Sequence, residues 1–338
     1  MSADSNVFND SAGNTVDFTA DSIESLTMSI ASNADADIDF VADVASGVIT
    51  MESGSSLTMA TFGDDGVSSI SISGTGDVNG AFAIADGTAV TVNASGLLDA
   101  DGIVITANAM DETTDTAKIT GSKGPDSITG GAGNDTITGG EGSDVVVASV
   151  GEDTISFTET LATTDYYKED LAGATGFATI NGFAEGSGAD VIWLASTALA
   201  GGNGVTTYAN TDATKDDITA NFSEVAVTTL DTTAELTIAA TATDFIYEVS
   251  GTAATLSATN ATSATSVASL LDNVFDFGDT TAADQADVLF IVSDGTDSYL
   301  WFFNGGTADV TIDAAELDLV GVVTGVASGG FTADDFAG

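Results

Sequence analysis

The sequence of 338 residues contains no cysteine, no histidine and no arginine, and only one proline. Without cysteine there is no disulfide, no thiolate nucleophile and no thiolate metal site. Without histidine there is no imidazole base or ligand, which excludes HExxH zinc sites and Ser-His-Asp triads. The sequence also lacks a GxSxG nucleophile elbow and a Walker-type phosphate loop. We therefore predict that the protein is not an enzyme, and carboxylate-only catalysis, as in glycosidases, is the one chemistry left open.

Positive charge is almost absent as well. The chain has four lysines and 52 aspartates and glutamates, so its formal net charge is -48. Hydrophobic residues nevertheless make up 43% of the chain, too many for a disordered acidic tail. We expect packed structure with the charge on its surface, which repels nucleic acid and anionic lipid and attracts cations. No run of 18 apolar residues is present, so no membrane span is predicted. The opening residues, MSADSNVFNDSAGN, do not resemble a cleaved signal peptide.

Short runs of alternating apolar residues fill the segment between residues 20 and 110. They are Leu26/Met28/Ile30, Ile38/Phe40, Leu57/Met59, Ile70/Ile72, Phe82/Ile84, Val90/Val92 and Ile103/Ile105. Their period of two, with Gly, Asp, Asn or Ser between most of them, indicates short strands joined by tight turns. A β-sandwich and a parallel β-solenoid both produce this pattern. We favour the solenoid, because the runs are small, contain few aromatic residues and lead directly into a repeat.

A second β-rich stretch follows the repeat. Strands are predicted within residues 176–183, 189–196, 234–250 and 286–303, and SDGTDS at 293–298 is predicted to be the turn of a hairpin. One helix is predicted over residues 262–277, with Thr262 or Ser263 as its N-cap. Its apolar residues fall at i, i+3, i+4 and i+7, namely Val267, Leu270, Leu271 and Val274. We expect this apolar face to cover a sheet.

Residues 121–147 repeat one nine-residue phrase three times, as GSKGPDSIT, GGAGNDTIT and GGEGSDVVV. The next nine residues, ASVGEDTIS, keep only Gly151, Asp153 and Ile155. A unit of this length accommodates one short strand and one tight turn, so one aliphatic residue per unit should point inward: Ile128, Ile137, Val146 and Ile155. If each unit forms half a coil, units 18 residues apart stack on the same edge. Asp126 then lies over Asp144 and Asp135 over Asp153, about 4.8 Å apart.

Carboxylates stacked at this spacing repel one another unless a cation lies between them. The glycines permit unusual turn dihedrals and let backbone carbonyls crowd together. The resulting oxygen cage suits calcium, which takes about 6–8 oxygen ligands in flexible geometry, whereas magnesium demands a small octahedron. The candidate metal-site residues are Gly121, Lys123, Pro125, Asp126, Gly130, Gly131, Ala132, Gly133, Asn134, Asp135, Gly139, Gly140, Glu141, Gly142, Ser143, Asp144, Gly151 and Asp153.

These units resemble the nonapeptide GGxGxDxUx, with U a large aliphatic residue, of the RTX (repeats-in-toxin) family. GGAGNDTIT at 130–138 matches it fully, and GGEGSDVVV has Ser143 where asparagine is commoner. GSKGPDSIT departs at Ser122 and Pro125, and its Lys123 places a cation beside the site. The resemblance implies a calcium-bound parallel β-roll. It also implies export by the type I secretion apparatus through an uncleaved C-terminal signal, and an extracellular or cell-surface location.

Residues 68–109 and the repeats after them are similar to calcium-dependent S-layer proteins of Gram-negative bacteria, a likeness of composition before residue 120. It implies a secreted structural protein that self-assembles with calcium into a surface layer, sheet or extracellular matrix fibre. One alternative is a calcium-dependent adhesin that holds a cell-surface polysaccharide on exposed aromatics. Its candidate platforms are Trp301, Phe302 and Phe303, or Tyr166 and Tyr167. The other alternative is a carboxylate-only enzyme acting on glycans.

We thus predict an all-β protein in three parts. Residues 1–120 form a β-solenoid-like domain, 121–160 an RTX β-roll that binds Ca²⁺, and 161–338 a β-rich domain. This last domain is expected to have one covering helix and to contain the secretion signal. The expected partners are other copies of the chain and the type I apparatus, and nucleic acid is not expected to bind.

Overall fold

The structure is a computed structural model that divides into two compact units, Met1–Tyr167 and Lys168–Gly338, and each is described by itself. It describes residues 6–8, 15–18, 25–30, 35–40, 46–59, 61–62, 69–79, 81–84, 89–98, 101–157, 164–170, 177–185, 190–195, 222–226, 236–237, 246–252, 254–276, 288–303, 311–327 and 329–337.

Parallel strands stacked in register build the first unit. Its first sheet contains, in spatial order, β1 (Asn6–Phe8), β3 (Leu26–Ile30), β5 (Ser46–Met51), β8 (Ser69–Gly74), β11 (Ala89–Leu97), β13 (Thr116–Thr120), β15 (Thr136–Thr138) and β17 (Thr154–Ser156). Its second sheet contains β7 (Thr61–Phe62), β10 (Ala81–Ile84), β12 (Val104–Thr106), β14 (Ser127–Thr129) and β16 (Val145–Val147), followed by the start of β18 (Tyr166–Asp170). A third sheet contains β2 (Thr15–Phe18), β4 (Asp35–Phe40), β6 (Ser56–Met59) and β9 (Asp77–Asn79).

The parallel pairing confirms the solenoid and shows that the β-sandwich alternative was wrong. In β5 and β8 the side chains alternate between buried and more exposed positions, with Ile49, Ile70 and Ile72 buried, because successive residues of a strand point to opposite faces. Register partners in the earlier coils are more than 20 residues apart, as in Ile49 with Ile72. In the repeats they are 18 apart, as in Ile137 with Ile155, because these coils use two strands and no third sheet.

The second unit is also mainly sheet. Its largest sheet contains, in order, β19 (Ala178–Asn181), β27 (Leu317–Val323), β26 (Ser298–Phe303), β25 (Val288–Ser293), β23 (Ile246–Ser250) and β21 (Phe222–Ala226). Two smaller parallel pairs join β20 (Val191–Ala195) to β28 (Phe336–Ala337) and β22 (Leu236–Thr237) to β24 (Phe275–Asp276). The antiparallel pairing of β25 with β26 confirms the predicted hairpin, and strands occur in all four predicted stretches.

Helix is confined, in the described residues, to α1 (Ala258–Ala261), α2 (Ala264–Leu271) and two short 3-10 turns. The predicted helix over 262–277 was correctly located but too long. Beyond Leu271 the amides of Asn273 and Val274 donate to carbonyls only three residues back, and Phe275 pairs with Leu236 in a strand. Ser263 is the N-cap residue of α2, as predicted, although its side chain makes no capping hydrogen bond. None of these helices is long and apolar enough to cross a membrane.

The apolar face of α2 covers the sheet, as predicted. Val267, Leu270 and Leu271 are buried in one cluster with residues of β23, β25 and β26. The indole Nε1 of Trp301 also donates a hydrogen bond of 3.0 Å to the carbonyl of Ala261, which ties β26 to the helical segment. This cluster is a hydrophobic core of the second unit.

Leu271→Ala should therefore lower the free energy of unfolding of the second unit by about 3 kcal/mol, because it leaves a cavity in a closed core. Thr265→Ala, on the exposed side of the same helix, should change it by only about 0.5 kcal/mol. Urea unfolding followed by tryptophan fluorescence measures both. Equal stabilities for the two variants would contradict the assignment of α2 as the cover of the sheet.

Candidate metal site in the nonapeptide repeats

Each repeat unit forms a three-residue strand whose central side chain points into the coil. Ile128, Ile137, Val146 and Ile155 are all completely buried, as the spacing predicted. A turn precedes each strand, rich in glycine at residues 121–125, 130–134 and 139–143, and it ends at the aspartate next to that strand. The aspartates therefore alternate between the two edges of the roll.

Hydrogen bonds join the aspartates of neighbouring coils on each edge. The amide of Asp126 donates to Oδ1 of Asp144, and the amide of Asp135 donates to Oδ1 of Asp153, both at 2.8 Å. Both links span 18 residues, so the predicted stacking of each pair on one edge is what the structure has. We call the line of bonded aspartates on each edge an aspartate ladder.

Both ladders begin on the solenoid coil that precedes the repeats. Oδ1 of Asp126 accepts the amide of Ile103, and Oδ1 of Asp135 accepts the amide of Ala117, both at 2.7 Å. Ile103 and Ala117 occupy the register position of the aspartate but have no carboxylate. Each ladder carboxylate thus binds the backbone of the coil before it, and the first pair binds a coil that is not part of the repeats.

The four repeat aspartates are buried, with at most 2% of each residue exposed. The expectation that the charge lies on the surface was therefore wrong for these four residues. Backbone donors stabilise the buried carboxylates in part. The amide of Gly131 donates to Oδ2 of Asp135 at 2.6 Å, and Ser122 donates both its amide and its hydroxyl to Asp126.

These donors do not offset the burial completely. Burial raises the pKa of Asp153 to about 7, against the lowering effect of the Asp135 amide, and the negative charge of Asp135 raises it further. Burial also raises the pKa of Asp135, with a smaller contribution from the charge of Asp115. In the absence of a cation, burial therefore shifts both carboxyl groups towards their protonated form.

The glycines allow the turns of adjacent coils to approach closely. A Cβ atom on Gly121, Gly130 or Gly133 would lie well under 3.0 Å from a carbonyl oxygen of a neighbouring coil. Gly140 and Gly151 have φ values of 128° and 141°, which residues with a side chain rarely adopt. Carbonyl and carboxylate oxygens therefore lie close to the turn glycines along each edge.

This donor set fits calcium, which prefers several hard oxygen ligands, carbonyls included. Among the described residues, no group of three or more acidic side chains is placed to hold a metal ion. A site in the ladders must therefore combine carboxylates with backbone carbonyls. Magnesium, which needs a small and regular octahedron, fits such a flexible set less well.

Several other predicted site residues lie in the turns between the strands. Lys123 forms an ion pair with Glu141 of the next coil. Oδ1 of Asn134 accepts the amide of Glu152 at 3.1 Å, also from the next coil. Pro125 and Ser143 are exposed, and Ala132 is half-buried. These side chains join the turns to one another or face solvent, whereas the aspartates lie inside.

The structure adds two buried aspartates that the sequence analysis missed. Asp165 lies in register with Asp144 and accepts its amide at 2.9 Å. Asp115 lies close enough to Asp135 for their charges to interact. Asp165 escaped notice because it follows Asp153 by 12 residues instead of nine and has no glycine pair before it. The signal present was an aspartate two residues before a large apolar residue, Tyr167.

Comparison with known proteins agrees with this geometry. A family model described as the RTX calcium-binding nonapeptide repeat (4 copies) matches residues 119–155. No curated protein and no solved structure matches the chain. The match supports an RTX-type protein whose repeats bind Ca²⁺. Proteins with such repeats are typically secreted, and structural or toxin-like, so the repeats fit a secreted calcium-binding protein.

The raised pKa values predict that acid stabilises the calcium-free roll. Asp153 has a pKa of about 7 when folded and 3.8 as its unperturbed value, so the folded chain binds more protons between these pH values. The free energy of unfolding should therefore fall as the pH rises through this window. In chelator, thermal melting followed by circular dichroism should show a higher midpoint at pH 4.5 than at pH 7.5.

Asp153→Asn is the control for this experiment, because it removes the titrating group while keeping the shape. Its midpoint should depend less on pH than that of the parent. A parent midpoint that is equal at the two pH values, or higher at pH 7.5, would contradict the assignment of Asp153 as a buried acid with a raised pKa.

Proposed function

We propose that this chain is a secreted structural protein that folds when its repeats bind calcium and then assembles with further copies of itself. The product is a cell-surface layer, a sheet or an extracellular matrix fibre. The observation that carries this proposal is the pair of buried aspartate ladders, Asp126 with Asp144 and Asp135 with Asp153. Buried carboxylates in such contact are unfavourable until a cation lies among them.

The proposed ligands lie on the two edges of the roll. They are the carboxylates of Asp126, Asp135, Asp144 and Asp153 and the backbone carbonyls of the glycine turns at 121–125, 130–134 and 139–143. Calcium supplies the positive charge that offsets the buried carboxylates and joins successive coils. Because such an ion binds the folded roll and not the open chain, its binding stabilises the folded state.

Export follows from the same electrostatics. In the cell, where free calcium is low, mutual repulsion within a chain of charge -48 opposes compaction and keeps the repeats open for the type I apparatus. Outside the cell, calcium at millimolar concentration fills the ladders and closes the roll. Export and folding are thus coupled by one change in calcium concentration.

Assembly is supported by a face of the solenoid without carboxylates. On β11, β13, β15 and β17 the less buried side chains form two columns in register. One column contains Thr91, Lys118, Thr136 and Thr154, and the other contains Asn93, Thr120, Thr138 and Ser156. All of these residues except Lys118 and Asn93 have a hydroxyl group, and we call the two columns the hydroxyl face. Two copies that meet through this face bring no acidic side chain of these strands into contact.

Neither alternative function gains support from a particular observation. An adhesin needs an exposed aromatic platform, yet Trp301, Phe302 and Phe303 are at most 5% exposed, and Trp301 and Phe303 pack in the hydrophobic cluster under α2. Of the second candidate platform, Tyr167 is buried and Tyr166 is half-buried. The enzyme alternative requires an acid pair across a groove, and the buried aspartates described above hydrogen-bond backbone amides instead.

Asp135→Asn tests the proposed ligands, since it keeps the shape and one oxygen but removes the charge. Calcium affinity follows ligand charge and number, so the calcium midpoint for folding should rise severalfold or more. At fixed calcium this loss should lower the free energy of unfolding by about 1–3 kcal/mol. Glu152→Gln, an exposed acid of the next coil, is the control and should keep the midpoint of the parent. Circular dichroism during a calcium titration measures the midpoints of both variants. Equal midpoints for Asp135→Asn and Glu152→Gln would contradict the assignment of Asp135 as a ligand.

Electron microscopy tests the assembly. Purified protein should form extended sheets or fibres in millimolar calcium and none after chelation. Thr138→Asp places a carboxylate on the hydroxyl face and should prevent assembly while leaving the calcium-induced circular dichroism intact. Thr113→Asp, in an exposed turn, should assemble as the parent does. Assembly in chelator, or normal assembly of Thr138→Asp, would argue against the proposal.

A further inference from the structure

The second sheet of the solenoid also presents two columns of side chains to the outside. They come from β12, β14 and β16, which pair in register. One column contains Val104, Ser127 and Val145, and the other contains Thr106, Thr129 and Val147. Tyr166 extends the first column, because its amide donates to the carbonyl of Asp144 at 2.7 Å and so continues the stacking of the coils. We call the two columns, with Tyr166, the valine face.

The valine face is uncharged and more apolar than the hydroxyl face. Val104 is 40% exposed, among the most exposed large apolar side chains of the described residues. Val145, Val147 and Tyr166 are half-buried, so part of each side chain reaches the surface. Apolar side chains grouped on one exposed face of a folded protein are typical of a contact with another molecule.

The fold of the repeat does not require valine at the two outward positions of β16. In the preceding unit, GGAGNDTIT, the same two positions are occupied by Thr136 and Thr138. The aliphatic residue between them is the one that fills the core of the roll in both units. Val145 and Val147 are therefore outward residues whose apolar character is not needed for packing inside the coil.

The distribution of charge indicates which partner fits this face. Exposed acids of this region, such as Asp101, Glu112 and Glu152, lie in the turns at the edges of the sheets. Two copies of a chain with a net charge of -48 repel each other wherever such turns meet. A contact through the valine face keeps these carboxylates away from the interface. A basic partner would instead be attracted to the turns, so the partner that fits an uncharged apolar face is a second copy.

We propose that the valine face binds the valine face of a second copy, so that the apolar side chains of both are removed from water. This inference rests on the proposed assembly and adds a second contact to it. In the repeats the two sheets lie on either side of the buried aliphatic residues, so the valine face and the hydroxyl face lie on opposite sides of the roll. Two different symmetric contacts on opposite sides join copies into an open chain instead of a closed dimer.

The size of the valine face sets the strength of this contact. Four strands about 4.8 Å apart give it a width of roughly 20 Å. It therefore covers less than the about 800 Å² that each partner of a stable complex contributes. The contact is reversible by itself and forms within an assembly that the hydroxyl face also holds together.

Replacing Val145 and Val147 together by threonine tests the contact, because the new unit has the outward residues of GGAGNDTIT. The calcium-induced circular dichroism should remain that of the parent. Assembly in millimolar calcium, followed by light scattering, should need severalfold more protein. Val150→Thr makes the same chemical change at an exposed turn residue and should assemble as the parent does.

Cross-linking gives a second measurement that does not depend on these variants. The chain has no cysteine, so one introduced cysteine reports the contact. Ser127→Cys, on the valine face, should be cross-linked between copies by a short bismaleimide in calcium but not after chelation. Thr113→Cys, in an exposed turn, should be cross-linked severalfold less in the same assemblies.

The outcomes separate this inference from the proposed function. Equal assembly of the parent and the Val145/Val147 double variant, or equal cross-linking at residues 113 and 127, would overturn the inference alone. If a segment of the same chain covered the face, the double variant would lose stability but assemble as the parent does, which would also overturn it. Failure of the parent to assemble in calcium would overturn the proposed function as well.

Discussion

The hydrogen bond from an aspartate amide to the carboxylate of the next coil is the contact on which the repeat region depends. It sets the 18-residue register, because Asp126 reaches Asp144 and Asp135 reaches Asp153 only when each unit forms half a coil. It also brings like charges together in a buried place. The same geometry therefore creates the stacking of the coils and its electrostatic cost, which backbone amides offset only in part.

The solenoid before the repeats provides a start for the ladders. Its coils bury isoleucine, valine and methionine side chains. In the last of these coils the amides of Ile103 and Ala117 donate to Asp126 and Asp135, and neither residue has a carboxylate. The first two repeat aspartates therefore join a coil that has no carboxylate at their register position. From there each further coil adds a carboxylate to one of the two ladders.

Much of this architecture could be predicted from the sequence, because its periods are regular. The period of two indicated strands, and the period of nine placed Ile137 inside and Asp135 at an edge. Other features depend on contacts that no local pattern reveals. The end of α2 at Leu271 follows from pairing of Phe275 with Leu236, and the contact of Asp165 with Asp144 follows from a register that survives three inserted residues. Burial of the aspartates was missed because composition alone places charge on the surface.

Hydrogen exchange of the ladder amides tests the central claim most directly. The amides of Asp126, Asp135 and Asp144 donate only when the neighbouring carboxylates are in place. With calcium they should exchange slowly, and after chelation they should exchange at least tenfold faster, while amides of β5 and β8 remain protected in both conditions. Equal protection of the ladder amides with and without calcium would show that the ladders form without a cation and would contradict this account.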